Sequence, residues 1–230
     1  MKISIIGGAG RVGTAIAYAL LNSVKPKELV LIDIMKDVVK GEALDLGHAT
    51  VALSPSTKVI GTNDYSSMKG SDVVIFVAGR ARKPDETREA LFEFNSNIAR
   101  MAAEMIKELA PNAKVMVVTN PSTQLGKVMQ EATGFPKQQI IVMDNQLDTA
   151  RLRYYIGQET GMPISQIRSH AKGEHGENME FEIKDMLSPQ QEETVKMSTK
   201  EAGATIIKLK GHTCWGIASQ VADEVKKLVK

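Results

Sequence analysis

The chain has 230 residues, 43% of them hydrophobic and 24% charged, which is typical of a globular protein with one large domain or two small ones. The formal net charge is +2, from 29 Lys and Arg against 27 Asp and Glu, and the basic residues are scattered, so no nucleic-acid partner is expected. The single cysteine excludes an internal disulfide, and neither a signal peptide nor a membrane span is expected, so a cytoplasmic protein with no membrane partner is the default.

Four short apolar runs predict strands that are buried on both faces. They are rich in β-branched residues and read ISIIG (3–7), ELVLID (28–33), DVVIFVAG (72–79) and KVMVVTN (114–120). Between them, apolar residues recur every three or four positions, most clearly over 91–109, as in an amphipathic helix. This alternation predicts an α/β fold with a doubly wound parallel sheet.

The first strand leads into a glycine-rich turn, GAGRVG (8–13), which fits the G-x-G-x-x-G pattern and opens an apolar helix. In this pattern Gly8 allows the tight turn, Gly10 lets a pyrophosphate approach the backbone, and Gly13 permits close packing of helix and strand. Asp33 stands about twenty residues further on, at the end of the second strand, where it can accept both ribose hydroxyls and repel a 2′-phosphate. We therefore expect a site for NAD rather than NADP.

Three arginines follow the third predicted strand. Arg80, Arg82 and Arg88 lie in GRARKPDETREALFEFN (79–95), which starts at the carboxyl edge of the sheet, where ligands of such folds bind. Planar guanidinium groups at such an edge suit bidentate recognition of a carboxylate. A solvated basic loop is the alternative interpretation.

An acid and an arginine begin another predicted helix. Asp148 and Arg151 in DNQLDTARLRYYI (144–156) are three residues apart, hence on one helix face, and the helix follows the strand-like run QIIVM. A surface ion pair would be worth only roughly 0.2–0.5 kcal/mol and would not explain this place at a strand end. Asn120 ends another strand in VVTNPST, so we expect all three at the ligand edge.

The pattern changes in the second half of the chain. A short strand candidate lies in QIRSHAKGEHG (166–176), and helical periodicity returns over 190–209 and 215–229. We therefore expect a first domain at 1–146 and a smaller α+β domain at 147–230.

Seven motifs occur together in the order and approximate spacing of one known family. They are GAGRVG, the aspartate Asp33, AGRARKP followed by TR, VTNP, LDTAR, GEHG and KGHTCW. The chain resembles the lactate/malate dehydrogenase family over almost its whole length, and LDTAR together with GEHG is specific to that family. The resemblance implies a dinucleotide-binding Rossmann domain at 1–146, a substrate and catalytic domain at 147–230, NAD as the cofactor, no metal, and self-association as a dimer or tetramer.

The resemblance also assigns the proton transfer. It makes His175 in GEHG the proton donor and acceptor on the substrate oxygen, with Asp148 holding its ring. Arg151 would pair with the carboxylate next to the reacting carbon, and Arg88, on a mobile loop, would polarise the carbonyl. Hydride transfer to a 2-keto acid builds negative charge on the carbonyl oxygen, so an imidazole that titrates near neutrality suits the delivery of a proton.

Further contacts follow from the same resemblance. Asn120 would orient substrate and nicotinamide, and Thr213 in KGHTCW would line the substrate pocket. The cofactor contacts implied are Gly8, Gly10, Arg11, Val12, Gly13, Asp33, Ile34, Ala78, Gly79, Asn95, Thr119 and Asn120.

Arg82 indicates which keto acid is used. The matching position in the lactate type is a glutamine, which suits a methyl group, whereas a second guanidinium pairs with a second carboxylate. An unpaired arginine in a closed pocket would cost several kcal/mol, so we expect oxaloacetate and malate rather than pyruvate. The motif KGHTCW is closer to the lactate type, and L-lactate dehydrogenase activity on pyruvate therefore stays open as an alternative.

The second domain is expected to be incomplete. Family members continue beyond the helix that ends here at Lys230, and the stretch from GEHG to ATIIKLKG also looks shortened. This leaves open a catalytically silent NAD-binding oligomerisation module. An NAD-using glycosidase fits less well, because Cys214 lies too late for its metal site. The helix VVKGEALDLGHA (38–49) is expected either to contact another subunit or to pack on its own sheet.

Overall fold

A six-stranded parallel sheet forms the centre of the first part of the chain. The computed structural model describes residues 1–80, 87–173 and 179–228, without the side chain of Arg88. The strand order is β3-β2-β1-β4-β5-β6, and every neighbouring pair is parallel. The strands are β1 Lys2–Ile6, β2 Glu28–Ile32, β3 Lys58–Thr62, β4 Val73–Phe76, β5 Lys114–Val117 and β6 Ile140–Val142.

Helices connect the strands and continue into the second half of the chain. They are α1 Arg11–Ser23, α2 Lys36–Leu53, α3 Arg88–Leu109, α4 Ser122–Thr133, α5 Gln146–Thr160, α6 Pro189–Lys210 and α7 Trp215–Leu228. A separate antiparallel pair consists of β7 His170–Lys172 and β8 Glu180–Glu182. No helix in the described ranges is both long enough and apolar enough to cross a membrane.

The chain divides into two compact units. The first unit contains Met1–Met143 together with the end of the chain from Val221, and the second contains Asp144–Gln220. The first unit has the doubly wound parallel architecture that the alternation of strands and helices predicted, and the second is the smaller α+β part. The predicted fold class is confirmed.

The sheet differs from the sequence prediction in two respects. The edge strand β3 was not predicted, because its sequence KVIGT begins with a lysine and contains a glycine. In addition, two predicted strands end early, β4 at Phe76 and β5 at Val117. After these two strand ends, the hydroxyl group of Thr119 donates a hydrogen bond to the backbone carbonyl oxygen of Ala78.

The helix predicted over 91–109 is present, but small side chains form much of its buried face. The fully buried apolar residues of α3 are Ala99, Ala102, Ala103 and Ile106. Two larger members of the apolar repeat, Phe94 and Met101, are exposed. The four buried residues belong to one buried hydrophobic cluster with Val74 and Phe76 of β4 and Val115 and Val117 of β5.

The helix α2 packs on its own sheet, which was one of the two predicted alternatives. Val39, Ala43 and Leu46 are buried, and a Cβ built on Gly61 of β3 would lie 2.2 Å from the carbonyl oxygen of Val39. Only a glycine in the edge strand permits this approach. The opposite face of α2 exposes Leu44 and other apolar residues, so it leaves the second alternative open.

The second unit has a small core of its own. Its fully buried members are Leu152, Ile156, Ile167 and Val195, from α5, α6 and the segment before β7. The register pairs His170 with Glu182 across β7 and β8. These two strands are joined in sequence by the segment that contains the GEHG motif.

Candidate active site

The glycine-rich turn is closely packed except at Gly10. A Cβ on Gly8 would lie 2.7 Å from Cβ of Leu31, and one on Gly13 would lie 2.3 Å from the carbonyl oxygen of Gly7. At Gly10 the nearest atom would be 3.4 Å away. The protein's own packing therefore does not require glycine at this position, whereas a ligand lying against the turn would.

Gly7 is a turn residue that the sequence analysis missed. Its φ of +93° is one that side-chain-bearing residues rarely adopt, and a Cβ there would lie 2.6 Å from the backbone nitrogen of Ala78. The doubled glycine in IIGGAG was the available signal. Gly7 and Gly8 both lie in the tight turn, which is closed by a hydrogen bond from the N–H of Gly10 to the carbonyl oxygen of Gly7.

The start of α1 offers unpaired backbone donors. The N-cap of α1 is Gly10, which has no side chain to cap the helix, and no acidic residue lies in the first turn. Arg11 is exposed and Val12 half-buried at the same end. The N–H groups and the positive end of the helix dipole suit an anion such as a pyrophosphate.

The carboxylate of Asp33 is held in place by backbone N–H groups, one of which belongs to the glycine turn. Its Oδ2 accepts from the N–H of Ala9 over 3.0 Å and its Oδ1 accepts from the N–H of Met35 over 3.1 Å. The carboxylate therefore has a fixed position at the end of β2. The neighbouring Ile34 is 91% exposed, which provides an apolar surface beside the carboxylate.

The ends of β4 and β5 are bonded to each other. Thr119 donates from its hydroxyl to the carbonyl oxygen of Ala78 over 2.8 Å. Asn95 of α3 is fully buried and hydrogen-bonds to the backbone of Arg80 and of Asn120. These bonds gather the end of each strand into one edge of the sheet.

The residues at this edge differ in their access to solvent. Gly79 and Asn120 are exposed, Ala78 is half-buried, and Thr119 and Asn95 are buried. The peptide bond between Asn120 and the following proline is cis.

Asp148 and Arg151 form a part-buried ion pair in α5. Nη1 of Arg151 lies 3.1 Å from Oδ1 of Asp148, and the two side chains are 12% and 1% exposed. The pair thus differs from a solvated surface pair, which water would screen. On the α6 side, a Cβ on Gly203 would lie 3.4 Å from Nη2 of Arg151, so this glycine leaves space beside the guanidinium.

The structure places the remaining predicted residues as follows. Arg82 and His175 lie outside the described residues. Arg88 begins α3 instead of lying in the loop before it, because Thr87 caps the helix by accepting from the N–H of Ala90. Thr213 is half-buried in the segment just before α7.

The first of the three arginines is engaged with its own unit. Cζ of Arg80 lies 4.4 Å from the ring centroid of Phe94, a cation–π distance. The ring of Phe94 is exposed on α3 apart from this contact.

Both halves of the chain match models of one family. Residues 1–142 match the NAD-binding domain of lactate/malate dehydrogenase, and residues 145–230 match its alpha/beta C-terminal domain. The chain belongs to the lactate/malate dehydrogenase family. The family predicted from the seven motifs is thereby confirmed.

Curated members of the family include two similar malate dehydrogenases. That of Caldivirga maquilingensis is 39% identical over 96% of this chain and 76% of its own length. That of Archaeoglobus fulgidus is 36% identical over 100% of this chain and 78% of its own length. The chain thus spans about three quarters of these family members.

Solved structures of the family superpose on all or nearly all of the chain. The malate dehydrogenase of Archaeoglobus fulgidus in complex with NADH gives a TM-score of 0.90 at 35% identity, covering 100% of this chain and 78% of that one. A lactate dehydrogenase from a deep-sea metagenome gives 0.87 at 30% identity, covering 96% and 75%.

Proposed function

We propose that this chain is an NAD-dependent malate dehydrogenase, which transfers a hydride reversibly between NAD(H) and malate or oxaloacetate. The observation that carries the proposal is the similarity, over nearly the whole chain, to family members named malate dehydrogenase. The packed glycine turn and the acid–arginine pair of α5 support the proposal, because the first suits a dinucleotide and the second suits a carboxylate.

The glycine turn fits NAD. The space at Gly10 and the uncapped start of α1 suit the pyrophosphate, together with Arg11, Val12 and the packing glycines Gly8 and Gly13. When bound, the cofactor supplies or accepts the hydride.

The adenosine side of the cofactor would meet Asp33 and Ile34. The fixed carboxylate would accept the ribose hydroxyls and repel a 2′-phosphate, and the exposed isoleucine would be covered by the base. The edge formed by Ala78, Gly79 and Thr119 would lie on the nicotinamide side.

The arginines would bind the substrate. One donor of Arg151 is bonded to Asp148, and the planar guanidinium has further donors that could bind a carboxylate in a bidentate manner. Arg88 would polarise the carbonyl group and Arg82 would pair with the second carboxylate. Asn120 would orient the substrate.

His175 would transfer the proton. In oxaloacetate reduction its imidazolium gives a proton to the carbonyl oxygen as the hydride reaches the carbon, and in malate oxidation the neutral ring removes the proton. Asp148, which is nearly inaccessible to solvent, would orient the ring and stabilise its charged form. Thr213 would line the pocket.

The assay that tests the proposal follows NADH absorbance with purified protein of verified mass. Turnover should be much faster with oxaloacetate than with pyruvate, and faster with NADH than with NADPH. A preference for pyruvate would establish the lactate alternative. Binding of NADH with no turnover of either keto acid would establish the silent module.

We further propose the domain division at 146, a cytoplasmic location and self-association as a dimer or tetramer. Val38, Leu44 and Val51 are apolar and exposed on α2, and burial against another subunit would remove them from water. Light scattering coupled to gel filtration measures the subunit number. Limited proteolysis tests the domain division, and cell fractionation tests the location.

A further inference from the structure

A glycine lies inside the long helix α6 at a position where helix formation does not favour it. Gly203 is half-buried and lies eight residues before the end of this 22-residue helix. Glycine is less favourable than alanine in a helix interior, because it loses more backbone freedom when the helix forms. The glycine at position 203 therefore needs an explanation other than helix formation.

Packing within the protein does not require a glycine there either. Elsewhere a Cβ would collide with a neighbour, as on Gly126 of α4, where it would lie 2.4 Å from Cγ2 of Val142. On Gly216 of α7 it would lie 2.9 Å from Cδ1 of Leu147. A Cβ on Gly203 would lie no closer than 3.4 Å to any atom of the described residues, which is an ordinary contact distance. Alanine would therefore fit at this position.

The atoms nearest to position 203 all belong to the guanidinium group of Arg151. A Cβ on Gly203 would lie 3.4 Å from Nη2, 3.7 Å from Nη1 and 3.8 Å from Cζ. It would thus be closer to both terminal nitrogens than to the carbon that joins them, so it would lie at the terminal end of the group. That end carries the paired donors that bind the two oxygens of a carboxylate. Gly203 leaves the approach to these donors open on the α6 side.

The guanidinium group is held in place independently of Gly203. Nη1 of Arg151 lies 3.1 Å from Oδ1 of Asp148, and both residues belong to the same compact unit as α6. A methyl group at position 203 would not break this ion pair, because its distance to Nη1 is an ordinary contact. It would cover Nη2 instead, and a methyl group accepts no hydrogen bond in return.

We infer that Gly203 is a specificity-determining residue, whose missing side chain admits a substrate carboxylate to the terminal nitrogens of Arg151. The inference rests on the proposed function, in which Arg151 binds the carboxylate next to the reacting carbon. Alanine at position 203 should then affect folding and substrate binding in opposite directions. The helix becomes more stable, while the carboxylate loses room beside its donors.

The test uses Gly203→Ala, Ala204→Gly as the matched control, and the double variant that carries both. Ala204 is the next residue of α6 and is exposed. The double variant exchanges the two residues, so the helix keeps one glycine and one alanine. Urea unfolding gives the midpoint of denaturation, fluorescence titration gives the Kd for NADH, and steady-state assays give kcat and KM for oxaloacetate.

The KM for oxaloacetate should rise roughly 10- to 100-fold in Gly203→Ala and in the double variant, because a hydrogen bond between charged groups is lost. The kcat should change less than KM, since the carboxylate is bound before and during the reaction. The Kd for NADH should stay within about threefold of wild type. Ala204→Gly should lower the urea midpoint and leave KM within about threefold, whereas Gly203→Ala should raise the midpoint.

A second measurement does not depend on turnover. NADH and malate are both reduced, so they cannot exchange a hydride, and calorimetric titration of malate into the NADH complex gives its Kd. This Kd should be roughly 10- to 100-fold higher in Gly203→Ala than in wild type. Equal affinities, or a wild type that binds no malate, would overturn the inference. A wild type that binds malate but reduces no keto acid would contradict the proposed function alone.

The variants also test the purely structural explanation. If Gly203→Ala fails to fold, or unfolds at a lower urea concentration than wild type, packing requires the glycine and the inference is wrong. A measurement on the wild type is independent of this outcome. The guanidinium N–H resonances of Arg151 should shift when malate is added to the NADH complex, whereas those of Arg100, which is exposed on α3, should not. Unshifted resonances of Arg151 would exclude a carboxylate at its terminal nitrogens.

Discussion

The backbone N–H of Ala171 donates a hydrogen bond to Oγ1 of Thr149 over 3.1 Å. Two residues earlier, the carbonyl oxygen of Ser169 accepts from Nε of Arg153 over 2.9 Å. Residues two apart in a strand present their backbone groups to the same edge, and residues four apart share one face of a helix. Two side chains of α5 therefore bond one edge of β7 and of the residue before it, while the other edge of β7 pairs with β8.

Replacement of Thr149 by valine should destabilise the second unit. Valine keeps the shape of the side chain but leaves the N–H of the buried Ala171 without its acceptor, which costs about 1–3 kcal/mol. Urea unfolding followed by circular dichroism measures this loss. The control is Thr194→Val, whose hydroxyl bonds only its own helix at Gln190, and its effect should be below about 0.5 kcal/mol. Equal effects of the two substitutions would contradict the assignment.

Alanine at Gly10 and at Gly13 should separate cofactor binding from folding. Gly13→Ala forces a Cβ against the carbonyl oxygen of Gly7 and should lower the free energy of unfolding by about 2–3 kcal/mol. Gly10→Ala has room within the protein and should cost less than about 1 kcal/mol. Gly10→Ala should nevertheless weaken the binding of NADH about tenfold or more, because the added methyl group would lie where the pyrophosphate approaches the turn. Wild-type affinity for NADH in Gly10→Ala would show that the ligand lies elsewhere.

Substitution of Arg82 by glutamine should change the preferred keto acid. Loss of the guanidinium would leave the second carboxylate of oxaloacetate unpaired, and kcat/KM for oxaloacetate should fall roughly 100- to 1000-fold. Activity with pyruvate should rise, since an unpaired arginine no longer faces its methyl group. The neighbouring Lys83→Gln is the control and should change either rate by less than about threefold. If Arg82→Gln keeps its preference for oxaloacetate, another residue recognises the second carboxylate.

The stability conferred by Asp185 should be lost in acid. Burial raises the pKa of this carboxyl group, but the hydroxyl of Ser169 and the N–H groups of Arg168 and Ser169 outweigh burial and hold the pKa below its usual 3.8. The native state therefore binds the proton less tightly than the unfolded chain does. The contribution of Asp185 is complete well above pH 3.8 and decreases as the pH falls through that value and below it.

Urea unfolding of wild type and Asp185→Asn at several pH values measures this dependence. The wild type should be more stable at neutral pH, and the difference should shrink below pH 3.8. Asp45→Asn, at an exposed position of α2, serves as the control. A difference that stays constant down to pH 3 would contradict the role of the charged carboxylate.

Much of the fold was predictable because it depends on local patterns. Continuous β-branched runs are buried wherever a parallel sheet is covered on both sides, and the glycine turn followed the first of them with Asp33 at the end of the second. The motifs gave the family for the same reason, since each is a short segment of fixed spacing. The weaker elements β3 and α4 had no comparable signal, and their place depends on packing against other elements, α2 and β2 for β3 and α3 for α4.

By itself, the sequence determined the alternation of strands and helices, the family, and the residue types available for an NAD site and for a carboxylate-bearing substrate. Only the tertiary structure decided how individual side chains are used. It requires a glycine at position 7 because Ala78 lies against Gly7, and it buried Asn95 between Arg80 and Asn120. The physical reason is that periodicity and turn chemistry act over a few residues. A hydrogen bond or a steric limit between distant segments exists only once the sheet has brought them together.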